Sequence, residues 1–294
     1  MVTLVKALDR KLIMHAKKVK RLFLWRKNNM GRIDNDIDKI YLTICKDLLH
    51  APKVAGTREL NNVKLQLRNI DNNIVSVRDI SLPYLFGEFL WYFNGLNDVE
   101  FIAKFSKMWE RLTDDGKTAN SAYGYLMKEG YGFNQVEKII ELLKRDPDSR
   151  RAVINLNVPN DRVIETKDEP CTIALQFLIR KGKLHCTGMM RSNDIWFGLP
   201  YDIAFFTELQ KYVADRLGIQ YGTYTHFVTS LHLYDKDYDA IEKIVKHTVS
   251  KKIKFDRHAF HKNKDLLAGL IRHSRNPKVD ILTLFKDFSI YKEV

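Results

Sequence analysis

The sequence predicts an α+β domain, and three observations carry that prediction. Some segments alternate apolar and polar residues, as half-buried strands do. Others repeat apolar residues every three or four positions, as amphipathic helices do. The two kinds are mixed along the chain without strict strand–helix alternation. The chain has 294 residues, 45% hydrophobic and 29% charged. That is enough length and apolar content for a large buried core.

In chain order, residues 37–50 (IDKIYLTICKDLLH) have helical spacing. Residues 62–77 read as strand, turn and second strand. The apolar run at 81–94 reads as a helix, with Ser81 as N-cap and Pro83 in its first turn. An amphipathic helix is expected over 134–146. RRAVINLNV and TIALQFLIRKGKLHCTGMM read as β, the latter a hairpin turning at Lys181-Gly182-Lys183. LPYDIAFFTELQKYVADRLG reads as a long helix closed by Gly218. GTYTHFVTSLHLYD returns to β, and DYDAIEKIVKHT is a late helix. The remaining tail carries little pattern. Residues 1–36 are expected to form a basic N-terminal arm, and 37–294 a single catalytic domain.

No apolar run reaches bilayer length, and Lys and Arg interrupt every apolar stretch of the N-terminus, which argues against a signal peptide. Three cysteines, Cys45, Cys171 and Cys186, form neither a disulfide framework nor a zinc spacing. A reducing, cytoplasmic setting is expected, with no metal and no membrane partner. The net charge of +13 favours anionic ligands. Basic residues are spread rather than gathered with aromatics, so a phosphorylated small molecule is favoured over nucleic acid.

Four segments place polar residues where a plain core would not. Glu-Pro-Cys171-Thr presents a cysteine at a strand mouth; alone, a buried structural cysteine is the competing reading. RDPDSRRAVINLN sets Arg150 beside Arg151, and adjacent strand residues face opposite ways. MMRSNDIWFGLPYDIAFF pairs Arg191 with Ser192 as a phosphate clamp. The same segment sets Asp194 and Asp202 among apolar neighbours, with Gly198 at the turn into a helix; helix capping is the plainer alternative for the two carboxylates. SLHLYD puts His232 and Tyr234 on one side of a strand, where two groups can reach one ligand.

In this order, the four segments resemble the thymidylate synthase family. FGEFLWYF resembles the family's catalytic-glutamate helix and supplies Glu88. Trp109, followed by SAYG with Tyr123, resembles the folate-side tryptophan and the active-site tyrosine. The resemblance covers roughly residues 37–290. It implies a three-layer α+β fold whose mixed sheet packs back to back in a homodimer. It implies that Cys171 adds to C6 of a pyrimidine nucleoside monophosphate, with arginines lowering its pKa, while Glu88 relays protons. Arg150 and Arg151 are expected from the partner subunit, on the phosphate with Arg191 and Ser192. Lys53 or Arg58 is expected to add an early-loop contact. His232 and Tyr234 are expected on the deoxyribose. Asp194, Trp109 and Gly198 are expected on the folate side, with 5,10-methylenetetrahydrofolate as co-substrate.

Two departures refine the expectation. The family carries asparagine in GLPxN where this chain has Asp202; aspartate there resembles the phage deoxycytidylate hydroxymethylases, and RSND and SLHLY lean the same way. The chain also stops at DFSIYKEV without the tail that closes family synthases over folate, so water is expected to attack the one-carbon intermediate. The expected reaction is C5 hydroxymethylation of dCMP, in a host cytoplasm if the chain is of phage origin. A dUMP hydroxymethylase, a thymidylate synthase, and a dCMP or CMP methylating or hydroxymethylating relative stay open beside it.

Overall fold

The computed structural model describes residues 32–157, 165–248 and 253–293. The arm expected over the first 36 residues lies mostly outside them. Its last part does not: β1 (Arg32–Asp34) pairs in parallel with β3 (Thr57–Leu67), so the packed structure begins before residue 37.

One mixed sheet organises the molecule. Its strands run in the order β1, β3, β7 (Gln220–Tyr234), β6 (Lys183–Asp194), β5 (Thr172–Arg180), β4 (Val153–Asn155), with β2 (Lys53–Val54) hairpinned onto β3. The β6–β7 pair is parallel, while β3–β7, β5–β6 and β4–β5 are antiparallel. The β5–β6 hairpin turns through Lys181 (φ 53°) and Gly182 (φ 70°). Two consecutive left-handed residues match the twist of paired strands, as the Lys-Gly-Lys reading anticipated.

Helices cover one face. The long α7 (Leu199–Leu217) lies against β6 and β7, and α1 (Ile37–Leu49) lies against β3. Pro200 opens α7, and Gly218 closes it at φ 69°. Behind α7 lies α2 (Leu82–Phe93), capped by the Ser81 hydroxyl accepting from Tyr84 N–H. The short helices α3 (Val99–Ala103), α4 (Met108–Leu112) and α5 (Tyr123–Lys128) follow, then α6 (Gln135–Arg145). After β7 come α8 (Tyr238–Lys246), β8 (Ile253–Phe255), α9 (Arg257–His273), α10 (Pro277–Asp287) and β9 (Tyr291–Glu293). The core joining the helical layers is aromatic: Phe86, Phe89, Phe205, Phe260 and Phe285 are each at most 1% exposed. Phe86 stacks on Phe285 at 4.5 Å, and Tyr92 tilts against Phe205 at 4.6 Å. Burying each such ring stabilises the fold by roughly 1.5–3 kcal/mol. The opposite face of the sheet is open, with Phe227 37% and Ile173 36% exposed.

Several expectations need correction. Only one strand lies in 62–77; after Leu67 the chain loops to Ser81, because Asn69 and Asp71 start a turn rather than a hairpin. The stretch bearing Lys53 and Arg58, expected as an early loop, is a β-hairpin. Arg150 and Arg151 lie in the turn before β4, so strand alternation does not set their directions. The tail is helical: Asp256 caps α9 through His258 and Ala259 N–H, and Pro277 opens α10.

Candidate active site

Cys171 sits one residue before β5 and is partly buried. Its backbone carbonyl accepts from Arg191 N–H at 2.9 Å. The Arg191 guanidinium reaches back to the carbonyls of Pro170 and Glu169, both at 3.0 Å. Strand pairing thus holds the arginine against the cysteine loop. The loop is also anchored from the other side. Asp168 accepts from Ser121 N–H at 2.8 Å and from its hydroxyl at 2.5 Å. That clamp draws the start of α5, and with it Tyr123, towards Cys171.

The thiol does not behave as expected. Burial pushes Cys171 up to about 11, and the pull of Arg191 in the other direction is smaller. The expectation of a lowered thiol weighed the arginine but not the desolvation of the strand mouth. Cys45 and Cys186 are fully buried free thiols.

Glu88 faces the same region from α2. Its Oε1 accepts from Tyr84 at 2.8 Å and from Tyr92 at 3.2 Å. Burial raises it to about 8 despite the Tyr84 hydrogen bond, with the Asp202 charge adding. A carboxyl raised this far can both give and take a proton near neutral pH. Trp109, expected beside folate, is only 5% exposed and donates its indole N–H to Tyr84 at 3.2 Å. Its place is therefore behind Glu88. Tyr123 is buried, and Asp202, Cys171 and Glu88 all raise it further. These four groups converge on one site.

Asp202 lies in the first turn of α7 and is partly buried. Burial lifts it to about 7, while the Asn193 amide, donating at 2.7 Å, opposes the rise. Asn193 is itself 2% exposed and contacts His226 Nε2 through Oδ1 at 3.1 Å. Gly198 makes room for this: a Cβ there would lie 2.6 Å from Asn193 Nδ2. Asp194 caps the turn, its oxygens accepting from Trp196 and Phe197 N–H at 3.0 Å each. Each oxygen keeps a further acceptor site.

The remaining expected residues divide. His232 and Tyr234 do share a side, with ring centroids 5.0 Å apart, and His232 Nδ1 is buried without a hydrogen-bond partner among the described residues. Ser192 pairs with Ser230 next to them. Arg150 and Arg151 are exposed, Arg151 reaching Asp146 at 3.6 Å. Lys53 pairs with Asp235 at 3.3 Å. Arg58 bonds the Ala51 carbonyl at 3.2 Å and stacks on Tyr238. Both early-loop cations thus have protein partners. Sequence reading missed Tyr84, Tyr92, Asn193, His226 and Asp168. Only Asn193 carried a signal, as the polar residue inside RSND.

The Thymidylate synthase family model matches residues 39–269. The chain belongs to the thymidylate synthase family. Among curated relatives, it is 30% identical over 209 residues to the deoxyuridylate hydroxymethyltransferase of Bacillus phage SP01, covering 65% of this chain and 54% of that protein. It is 34% identical over 162 residues to the deoxyuridylate hydroxymethyltransferase of Pseudomonas phage M6, covering 54% and 46%. It is 37% identical over 127 residues to a putative thymidylate synthase of Methanosarcina barkeri (strain Fusaro / DSM 804), covering 42% and 57%. The chain spans about half the length of these curated relatives. The thymidylate synthase family match includes Glu88, Tyr123, Cys171, Arg191 and Asp202, the residues just placed around one site. Among the described residues, no His, Cys, Asp and Glu group is placed to hold a metal, and no helix is long and apolar enough to cross a membrane.

Proposed function

We propose that this chain hydroxymethylates C5 of a pyrimidine deoxynucleoside 5′-monophosphate, and that the base is cytosine. The observation that carries the base assignment is Asp202: a partly buried carboxyl raised towards neutrality, held by Asn193 beside Cys171. In its neutral form, one oxygen donates to N3 of cytosine and the other accepts from the exocyclic amino group. An asparagine held so that it donates to O4 and accepts from N3–H of uracil would leave polar groups unpaired against cytosine.

5,10-Methylenetetrahydrofolate would supply the one-carbon unit at the oxidation level of formaldehyde. The residues fit such a donor: Asp194 keeps acceptor sites for pterin N–H groups, and Phe197, half exposed, offers an apolar surface beside it. Cys171 Sγ, once deprotonated, bonds to C6 of the pyrimidine, and the C5=C6 pair moves to C5. C5 then bonds the one-carbon unit, its proton leaves towards Glu88 and Tyr123, and the electron pair left at C5 expels the folate nitrogen, so that the carbon–nitrogen bond breaks, tetrahydrofolate departs and an exocyclic C5=CH2 remains. A water oxygen adds to the exocyclic carbon and loses a proton. The Cys171–C6 bond breaks, restoring the ring double bond. No hydride moves, so the folate product stays at the tetrahydro level. Arg191 and Ser192, with Arg150 and Arg151 of the partner subunit, take the phosphate; His232 Nδ1 and Tyr234 take the sugar. The open sheet face carrying Phe227 and Ile173 is the surface for that homodimer.

A second reading is dUMP as substrate. It is favoured by the printed names of the two phage relatives. A neutral carboxyl with its proton on the other oxygen pairs with O4 and N3–H of uracil. The deciding test compares kcat/KM for dCMP and dUMP in the wild type and in Asp202→Asn. A wild-type preference for dCMP that shifts towards dUMP by about 100-fold is expected from reversing a buried hydrogen-bond pattern. An unchanged preference removes Asp202 as the base reader.

A further inference from the structure

His226 is a fully buried histidine on β7 that the reaction above does not use. Its surroundings form a line. The Tyr224 hydroxyl lies 2.8 Å from Nδ1, His226 Nε2 lies 3.1 Å from Asn193 Oδ1, and Asn193 Nδ2 donates to Asp202 Oδ2 at 2.7 Å. Tyr224 and Asn193 are 0% and 2% exposed. Two glycines admit the line. A Cβ at Gly188 would sit 2.5 Å from the Tyr224 hydroxyl, and one at Gly198 2.6 Å from Asn193 Nδ2. Four polar side chains are thus joined through a core where an unpaired polar group costs more than a hydrogen bond returns.

We infer that Tyr224 and His226 are positioning residues that orient the Asn193 amide and so decide which oxygen of Asp202 carries its proton. This rests on the reading of Asp202 as the base-contacting group. Burial keeps His226 neutral, pushing it down to about 3, so the ring carries one proton. Donation by Tyr224 to Nδ1 leaves that proton on Nε2, which donates to Asn193 Oδ1. The amide NH2 then faces Asp202 and occupies Oδ2 as an acceptor. The carboxyl proton is left to Oδ1. In the opposite state, Nδ1–H donates to Tyr224, the amide turns over, and Oδ2–H donates to Asn193. Only the first state offers a base the donor–acceptor pair that cytosine needs; in the second the one carboxyl proton is spent on Asn193 and both oxygens are left as acceptors. Among the described residues, the ionisable groups facing Asp202 are Asp194, Cys171, Glu88 on α2, Tyr92 on α2, Tyr123 on α5 and Tyr224 on β7. None of them supplies the directional contact that Asn193 supplies.

The test uses the full chain. Imidazole nitrogen NMR of the wild type should show a neutral ring protonated on Nε2; protonation on Nδ1 overturns the inference. Tyr224→Phe removes one hydroxyl and keeps the ring that Gly188 accommodates. In it, the ratio of kcat/KM for dCMP over dUMP should change by about tenfold, the discrimination one neutral hydrogen bond provides. His226→Phe should change it similarly, and His226→Gln, which keeps a donor and an acceptor, should restore part of it. Binding of both nucleotides by calorimetry gives the same ratio if a variant turns over poorly. Equal losses for both nucleotides in folded Tyr224→Phe and His226→Phe overturn the inference. A wild type that prefers dUMP defeats the cytosine assignment instead, and leaves the relay to be judged by the change in ratio.

Discussion

Asn193 donates from its amide to the Asp202 carboxyl at 2.7 Å across the turn that joins β6 to α7. The contact is possible because Gly198 at that turn has no Cβ. Gly198→Ala should therefore push the amide aside. Overpacking of this kind costs about 1–3 kcal/mol. Thermal unfolding should report that loss, and the variant should also discriminate less between dCMP and dUMP.

Asp202 and Glu88 stand above the ordinary carboxylate range, at about 7 and about 8, because burial disfavours the charged form of each. Between the unfolded and folded values, the unfolded chain releases a proton that the folded chain keeps. Stability from these groups is thus fullest below about pH 4. It falls as pH rises towards 7 for Asp202 and 8 for Glu88, by about 1.4 kcal/mol per pH unit and group. Asp202→Asn and Glu88→Gln should gain stability over the wild type as pH rises through that window. Denaturant unfolding at pH 5 and pH 8 checks this; a difference that shrinks with pH contradicts it.

Tyr84 links Trp109 to Glu88 through two hydrogen bonds. Its bond to the carboxylate opposes the rise caused by burial. Tyr84→Phe should move the limb of the kcat–pH profile assigned to Glu88 to higher pH, with little change in the KM for nucleotide. A limb that stays in place separates Tyr84 from proton relay.

Cys171 is desolvated, with Arg191 as the first group opposing its rise. Its alkylation by iodoacetamide should accelerate steadily past pH 9 rather than level off near neutrality. Arg191→Gln should slow it by roughly tenfold at a given pH, since one pKa unit is a tenfold change in thiolate fraction. Peptide mapping separates Cys171 from the buried Cys45 and Cys186.

Much of this architecture was legible in the sequence. Ser81, Pro83, Gly182 and Gly218 mark element ends by local chemistry, and each sits where that chemistry placed it. Glu88 was legible through the resemblance of FGEFLWYF to the family's catalytic-glutamate helix. The tail was missed although Asp256 and Pro277 are start signals, because basic residues dilute the buried positions Phe260, Leu267 and Ile271 of α9. The Cys171 thiol was misjudged because burial depends on the packing of β5, β6 and α5 together. His226 and Tyr224 were invisible for the same reason. Alternation on β7 placed them on one face, but only the fold brings Asn193 to meet them.

The central claim is that Asp202 directs a Cys171-dependent hydroxymethylation to cytosine. Incubation of the purified chain with 5,10-methylenetetrahydrofolate and an equal mixture of dCMP and dUMP, followed by mass spectrometry of the nucleotides and an absorbance assay for dihydrofolate, tests it most directly. The account predicts that dCMP gains CH2O, that dUMP stays largely unchanged, that no dihydrofolate forms, and that Cys171→Ser abolishes the change. Modification of dUMP in preference to dCMP, or dihydrofolate appearing in step with product, would contradict it.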